Sequence, residues 1–235
     1  MLHDLALSVA SSGAEGAPRT LIETAYHGLR RAIIDGKHAP NEPLRVEHLK
    51  KTYQVSGGTL REALALLVSD ALVVTQGYRG FKVAPMSLQE LADLCRVRTL
   101  IECEAVRESM QQGRDDWEAA VVAAYHKLSR AEERLAVDAV GAFDEWEARN
   151  REFHEALISA CTSAWLLRLR AVLYQLAERY RRLSAFEGAR VDALHKEHAE
   201  IYDAVLGRDL ERTTALLGRH IRHAFTVIRE SNLLK

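Results

Sequence analysis

The residues with the most chemistry to offer are histidines. Asn150 and His154 stand four positions apart, which puts both on one face of a helix, and His198 and His220 fall in two later helical stretches. Three neutral imidazoles and an oxygen donor meeting inside a helical bundle suit zinc, nickel or another borderline divalent cation. Spacing alone carries this only part of the way. The chain has 10 histidines, so some fall at helical positions by chance, and satisfied or surface histidines are the plainer alternative. His195 and His223, each within a turn of His198 and His220, are possible substitutes. A bound metal would also allow a second function, a metal-dependent hydrolase with an accessory DNA-binding-like front segment. Hydrolysis needs an open coordination position, a general base and a water path. Glu152 and Glu155 flank His154, but helical geometry turns both away from its face.

A second group of residues lies near the front. Ser56-Gly57-Gly58-Thr59-Leu60-Arg61 opens a helix whose N-terminus offers free N–H groups and a positive dipole end to a phosphate. The two glycines let backbone approach closely, and Thr59 and Arg61 can reach base edges or phosphates. Ser56 is placed to cap that helix. Arg45, ahead of the preceding helix, and Tyr78 and Arg79, at the tip of a hairpin, would touch the DNA backbone or a minor groove.

These groups need elements to hold them. A first helix is expected over Leu21–Ile34, with Leu21, Ile22, Ala25, Leu29, Ala32 and Ile33 on one face and Gly36 just past its end. A short helix near Val46–Tyr53 and another from Ser56 to about Asp70 make a helix-turn-helix. Leu72–Thr75 and Phe81–Ala84, separated by Gln-Gly-Tyr-Arg-Gly, read as a small hairpin or wing. From Ser87 onward there is neither strand signal nor proline. Six helices fit the punctuation, near 88–112, 115–136, 142–161, 163–184, 188–206 and 209–231, and loops this short imply antiparallel neighbours.

Composition sets the limits. At 235 residues, 48% hydrophobic and 28% charged, the chain suits two modest globular domains. Residues 1–18 contain no Lys or Arg and end at Pro18, which reads as a disordered tail. The net charge of −1 hides an asymmetry: residues 19–86 hold 10 basic and 6 acidic side chains, residues 87–235 hold 22 and 25. A polyanion partner therefore belongs at the front. Cys95, Cys103 and Cys161 fit neither a disulfide framework nor a zinc ribbon and are expected as buried thiols. No window reaches the length and apolarity of a membrane span, so a cytoplasmic protein is expected.

The stretch VSGGTLREALALLVSDALVV followed by GYRGFKVAPMS resembles the winged helix of the GntR family, whose usual pattern is close to VSRTPVREALRRLEAEGLV and then RGxxVxxxS. The helical remainder resembles the FCD effector domain of the FadR-type branch. The resemblance implies that Arg61 is a principal DNA contact. Gly57 stands where many members carry a guanine-reading arginine, so the operator preference is expected to differ. It also implies a metal held by an Asp, by a His four positions later, and by two further His. NREFHEAL, KEHAEIYDAV and LGRHI match these at His154, His198 and His220, with Asn150 in place of the Asp, and do not select His195 or His223. A neutral amide is a weaker donor than a carboxylate. In the same way Arg98 is selected as the arginine facing the cavity, where a guanidinium opposite a metal suits a carboxylate. A salt bridge to Glu102, one turn on, is its alternative role. Arg179, Arg181 and Arg182 read as a solvated helix end, and Trp117, Trp146 and Trp165 as packing or interface residues.

The expected protein is mainly α: a tail (1–18), a winged helix-turn-helix with a small β-hairpin (19–86) and an all-α six-helix antiparallel bundle (87–235). It would be a homodimeric, sequence-specific DNA-binding regulator, a repressor of a double-stranded operator, answering a small carboxylic acid bound at a divalent metal. It would not be an enzyme.

Overall fold

The structure, a computed structural model, describes residues 20–77, 80–185 and 191–234. The chain divides into two compact units, Met1–Pro85 and Met86–Lys235.

In the first unit α1 (Leu21–Ile34) starts at Thr20 with a reciprocal capping box. The Thr20 hydroxyl accepts from Glu23 N–H at 3.1 Å, and the Glu23 carboxylate accepts from Thr20 N–H at 2.8 Å, so two orphan donors of the first turn are satisfied. Ala25, Leu29 and Ile33 are buried with Leu60, Leu64 and Leu67 of α3 (Gly57–Ser69). Leu21, expected on that face, is 65% exposed. Gly36 takes φ +73° just beyond the helix, the left-handed conformation that a glycine adopts without Cβ strain. Between them lies α2 (Val46–Tyr53), and Gln54 at φ 52° turns the chain into α3. Ser56 caps α3 as its position suggested, accepting from Thr59 N–H at 3.1 Å.

The wing consists of β2 (Val73–Thr75) and β3 (Phe81–Val83), paired antiparallel with Val74 opposite Lys82. A further strand, β1 (Pro43–Leu44), pairs with the other side of β3, giving the order β1-β3-β2. Two residues are too short to show a period of two in the sequence, and Pro43 is tolerated because β1 is an edge.

The second unit is helical throughout its described elements: α4 (Leu88–Gln112), α5 (Asp115–Val137), α6 (Phe143–Leu157), α7 (Ala164–Leu176), α8 (Glu178–Ala185), α9 (Val191–Leu206), α10 (Leu210–Ile221) and α11 (His223–Glu230). Two of the six expected helices are thus divided. At Ala177 the break coincides with the Arg181 guanidinium, which donates to the Tyr174 carbonyl at 3.1 Å, a side chain entering the backbone ladder. At Arg222 the N–H bonds the Arg219 carbonyl (3.1 Å), three residues back instead of four. Helix α4 packs on α7, α10 and α11, while α5 packs on α6 and α9. Phe153, Leu128, Ile201, Val205 and Leu217 form the centre of the core.

Cys95 and Cys161 are buried free thiols, whereas Cys103 is only half-buried. Among the described residues no helix is long and apolar enough to cross a membrane.

Candidate metal centre and ligand cavity

Helices α6, α9 and α10 each bring one histidine to a common point. The Nε2 atoms of His154 and His198 each lie 3.2 Å from Nε2 of His220, and one ligand atom from each of the three falls within 4.8 Å of the others. All three rings are removed from bulk water, His198 completely.

Two carboxylates determine what two of those rings present. His198 Nδ1 lies 2.5 Å from Glu132 Oε1 and His220 Nδ1 lies 2.9 Å from Glu197 Oε2. A carboxylate can only accept, so Nδ1 carries the proton and Nε2 of the neutral ring is left as a lone pair. Burial, together with the neighbouring imidazole of His198, pushes His220 down to about 4; burial and then His220 hold His154 well below the usual histidine range. The His198 and His220 lone pairs, 3.2 Å apart, repel one another unless a cation sits between them. The spacing suits a metal, since two nitrogens at about 2.0–2.1 Å from a tetrahedral ion lie about 3.3 Å apart. Asn150 is buried on the same face of α6, and its Nδ2 donates to the Tyr174 hydroxyl at 2.8 Å. That leaves its Oδ1 buried without a partner, an oxygen donor free for a fourth bond. The donor set fits a divalent ion.

His195 and His223 stand one layer out, on the same two carboxylates. His195 Nδ1 is 2.7 Å from Glu132 Oε2 and His223 Nδ1 is 3.0 Å from Glu197 Oε1. Both carboxyls remain ionised against the penalty of burial because their histidine hydrogen bonds outweigh it.

Beside the cluster is a cavity of about 60 Å³, lined among others by Arg98, Asn150, His154, His220, Trp146, Tyr174 and Arg181. Arg98 is on its wall as expected, and it is also engaged in the alternative role. Its Nε and Nη2 donate to Glu102 Oε1 at 2.9 and 2.6 Å. Burial opposes the Glu102 charge, but Arg98 and then Arg170 hold this carboxyl below the ordinary range. The guanidinium carbons of Arg98, Arg170 and Arg181 lie 5.2, 4.4 and 3.9 Å from the centre of the Tyr174 ring. Glu102 and Glu147 are the hydrogen-bonded carboxylates of this group, Glu147 being gripped by Arg181. Buried positive charge next to a cavity favours an anion inside it.

Arg181 corrects the reading of 179–182 as a solvated helix end. Arg179, Tyr180 and Arg182 are buried and the Arg181 side chain is 11% exposed; Tyr180 donates to Glu90 of α4, while Arg181 and Arg182 donate to Glu147 and Asp144 of α6. Trp146 lines the cavity, Trp117 is buried and Trp165 is exposed. Neither Glu152 nor Glu155 lines the cavity; Glu152 pairs with Lys127 and Arg149.

In the first unit Arg45, Ser56, Gly58 and Arg61 are exposed, while Gly57 and Thr59 are half-buried. Arg45 and Arg61 share the wall of one open groove with Pro43, Gln76 and Gly80, so the cap of α2, the start of α3 and the turn end of the wing meet there. A Cβ at Gly57 would find only ordinary contacts, the nearest being Arg61 Nη1 at 3.5 Å, and one at Gly58 only Ser56 Oγ at 3.6 Å. Packing within the chain does not demand either glycine. Tyr78 and Arg79 lie outside the described residues.

A helix-turn-helix with a wing, followed by a separate helical domain, is the architecture of a DNA-binding transcriptional regulator. Residues 21–83 match the bacterial regulatory proteins of the gntR family, and residues 93–223 match the FCD domain. The chain belongs to the GntR family, in the branch that carries an FCD domain. It is 49% identical over 217 residues to the HTH-type transcriptional regulator BphR of Paraburkholderia xenovorans, covering 92% of this chain and 89% of that one. It is 36% identical over 210 residues to the HTH-type transcriptional repressor GlaR of Escherichia coli, covering 88% and 94%. A putative GntR regulator from Rhodococcus sp. RHA1 superposes with a TM-score of 0.68 at 26% identity, over 89% of this chain and 98% of the other.

Proposed function

We propose that this regulator is a repressor whose helical domain senses a small carboxylic acid at a divalent metal site. The observation that carries the reading is the convergence of three imidazole Nε2 atoms at the edge of a cavity that also exposes a buried guanidinium, Arg98. His154, His198, His220 and the Asn150 carbonyl would hold the ion, with zinc or nickel the best match to nitrogen-rich donors. When bound, the metal supplies a Lewis-acid anchor for one carboxylate oxygen. Arg98 supplies two parallel N–H donors for the carboxylate. The leucine, tryptophan and isoleucine walls of the cavity keep water away and strengthen both contacts.

Arg45, Ser56, Gly57, Gly58, Thr59 and Arg61 would engage operator DNA, together with Tyr78 and Arg79. Repression is in keeping with the GlaR relative, which is named a repressor. A homodimer reading a two-fold site is supported by Leu100 on α4 and Trp165 and Leu169 on α7. These are large apolar side chains 63%, 69% and 46% exposed on two helices that pack together, the kind of surface that a second copy covers. The acid switches binding only if it prefers one of two arrangements of the dimer.

The test is a thermal-shift screen of metal-loaded, untagged protein against small carboxylic acids, repeated with Arg98→Ala. A ligand that binds only the folded state raises its apparent stability. Stabilisation by particular acids, lost in Arg98→Ala, is expected. A screen in which every acid leaves the melting temperature unchanged would rule out the acid sensor while leaving DNA binding untouched.

A further inference from the structure

Glu102 sits between one donor that it satisfies and two that it does not. Its Oε1 takes both hydrogen bonds of Arg98. Its Oε2 lies 3.7 Å from His154 Nδ1 and 3.8 Å from Arg170 Nε, both beyond hydrogen-bond reach. Those two nitrogens are buried and have no hydrogen-bond partner. His154 is therefore the exception in its cluster, because His198 and His220 each give Nδ1–H to a carboxylate at 2.5 and 2.9 Å. A buried donor left unmade is costly. Arg170 Nε is one, and His154 Nδ1 becomes a second in the tautomer that turns a bare Nε2 to the cluster; both face one oxygen across a gap of less than about 1 Å relative to a normal bond of ~2.9 Å.

We infer that Glu102 is a two-position switch: it pairs with Arg98 when the cavity holds no anion, and moves to His154 and Arg170 when an anion takes over the Arg98 guanidinium. This rests on the assignment of Arg98 to an anionic ligand, and it explains how one arginine serves as both ligand contact and salt-bridge partner. Capturing an anion would complete the third imidazole–carboxylate pair and orient His154 Nε2 toward the ion. Ligand and metal would then reinforce each other, each raising the other's affinity by the same factor. Glu102 acts through His154 and is a positioning residue.

Arg98→Gln removes the guanidinium that an anion would occupy, so it imitates the released state with zinc alone as the probe. Zinc affinity is measured by competition with a chromophoric chelator for wild type, Arg98→Gln, Glu102→Gln and the double variant. Imidazole partners outside the coordination shell change affinity by 10–100-fold. Arg98→Gln is therefore expected to raise zinc affinity roughly tenfold in wild type, and less than about twofold when Glu102 is already Gln. A gain of the same size in both backgrounds would be a simple charge effect and would overturn the switch. Should Glu102→Gln not fold, Glu102→Asp keeps the charge but shortens the reach and serves in its place. Histidine NMR gives a second readout: a hydrogen-bonded His154 Nδ1–H signal appears in Arg98→Gln and is absent from the double variant. Failure of every variant to bind zinc would instead overturn the metal centre and the switch together.

Discussion

Nδ1 of His198 lies 2.5 Å from Oε1 of Glu132, and this bond decides which nitrogen of the ring faces the cluster. The Glu132 carboxylate also receives Nδ1 of His195 at 2.7 Å, so one buried anion holds an inner and an outer histidine. Glu132→Gln keeps the shape but offers an amide that can present either an acceptor or a donor. Zinc affinity is expected to fall 10–100-fold, read by chelator competition, with secondary structure unchanged. His195→Ala, which leaves the His198 bond in place, should cost much less. Equal losses in the two variants would mean that Glu132 acts through general packing.

Acid should destabilise the metal-free protein in a defined window. Burial and His198 bring His220 from 6.5 down to about 4 in the folded state, and His154 is lowered as well. Between those values the unfolded chain binds protons that the native chain does not, so stability falls as pH drops from about 6.5 toward 4, and the lowered carboxyls of Glu102, Glu132 and Glu197 carry the fall further below that. The His220 shift alone amounts to roughly 3 kcal/mol. Calorimetry of metal-free protein from pH 7.5 to 4.5 should show this fall, and His220→Gln should flatten it. A melting temperature constant down to pH 5 would contradict the buried, neutral cluster.

How much of this was legible depended on distance along the chain. The i, i+4 pair Asn150 and His154, the Ser56 cap and both wing strands carry local signals, and they appear where those signals put them. The choice of His198 and His220 over His195 and His223 needed the family motif, because all four are equally helical. What lay hidden is long-range. Glu132 is 66 residues from His198 and Tyr174 is 24 from Asn150, so no periodicity pairs them. Arg181 looked solvated because cations suit helix ends, and its partner Glu147 lies 34 residues away on α6. Strand β1 was silent because two residues make no pattern.

Gly58 offers a way to separate folding from DNA binding. It is exposed in the first turn of α3, and a Cβ there meets nothing closer than 3.6 Å. Gly58→Ala should therefore stabilise the protein by roughly 0.5–1 kcal/mol by reducing the freedom of the unfolded chain. If the glycine serves close approach of backbone to phosphate, the same variant should bind operator DNA more weakly. Urea denaturation and a DNA titration test both signs. Higher stability with unchanged DNA affinity would remove Gly58 from the interface.

Arg61 and Arg45 share one groove but sit differently, Arg61 on the first turns of α3 and Arg45 at the cap of α2. Helix α3 is the second helix of the helix-turn-helix, the one that enters the major groove in that motif, so Arg61 is expected to read a base edge and Arg45 a phosphate. Arg61→Ala should then cost about 1–3 kcal/mol on operator DNA and relax the preference at one position, with a small effect on unrelated sequence. Arg45→Ala should weaken both DNAs alike and reduce the slope of log affinity against log salt by about 1. Titrations of each variant on both DNAs across 50–200 mM salt separate the two patterns. Uniform weakening by Arg61→Ala would make it a backbone contact and move sequence reading to Thr59 or the wing.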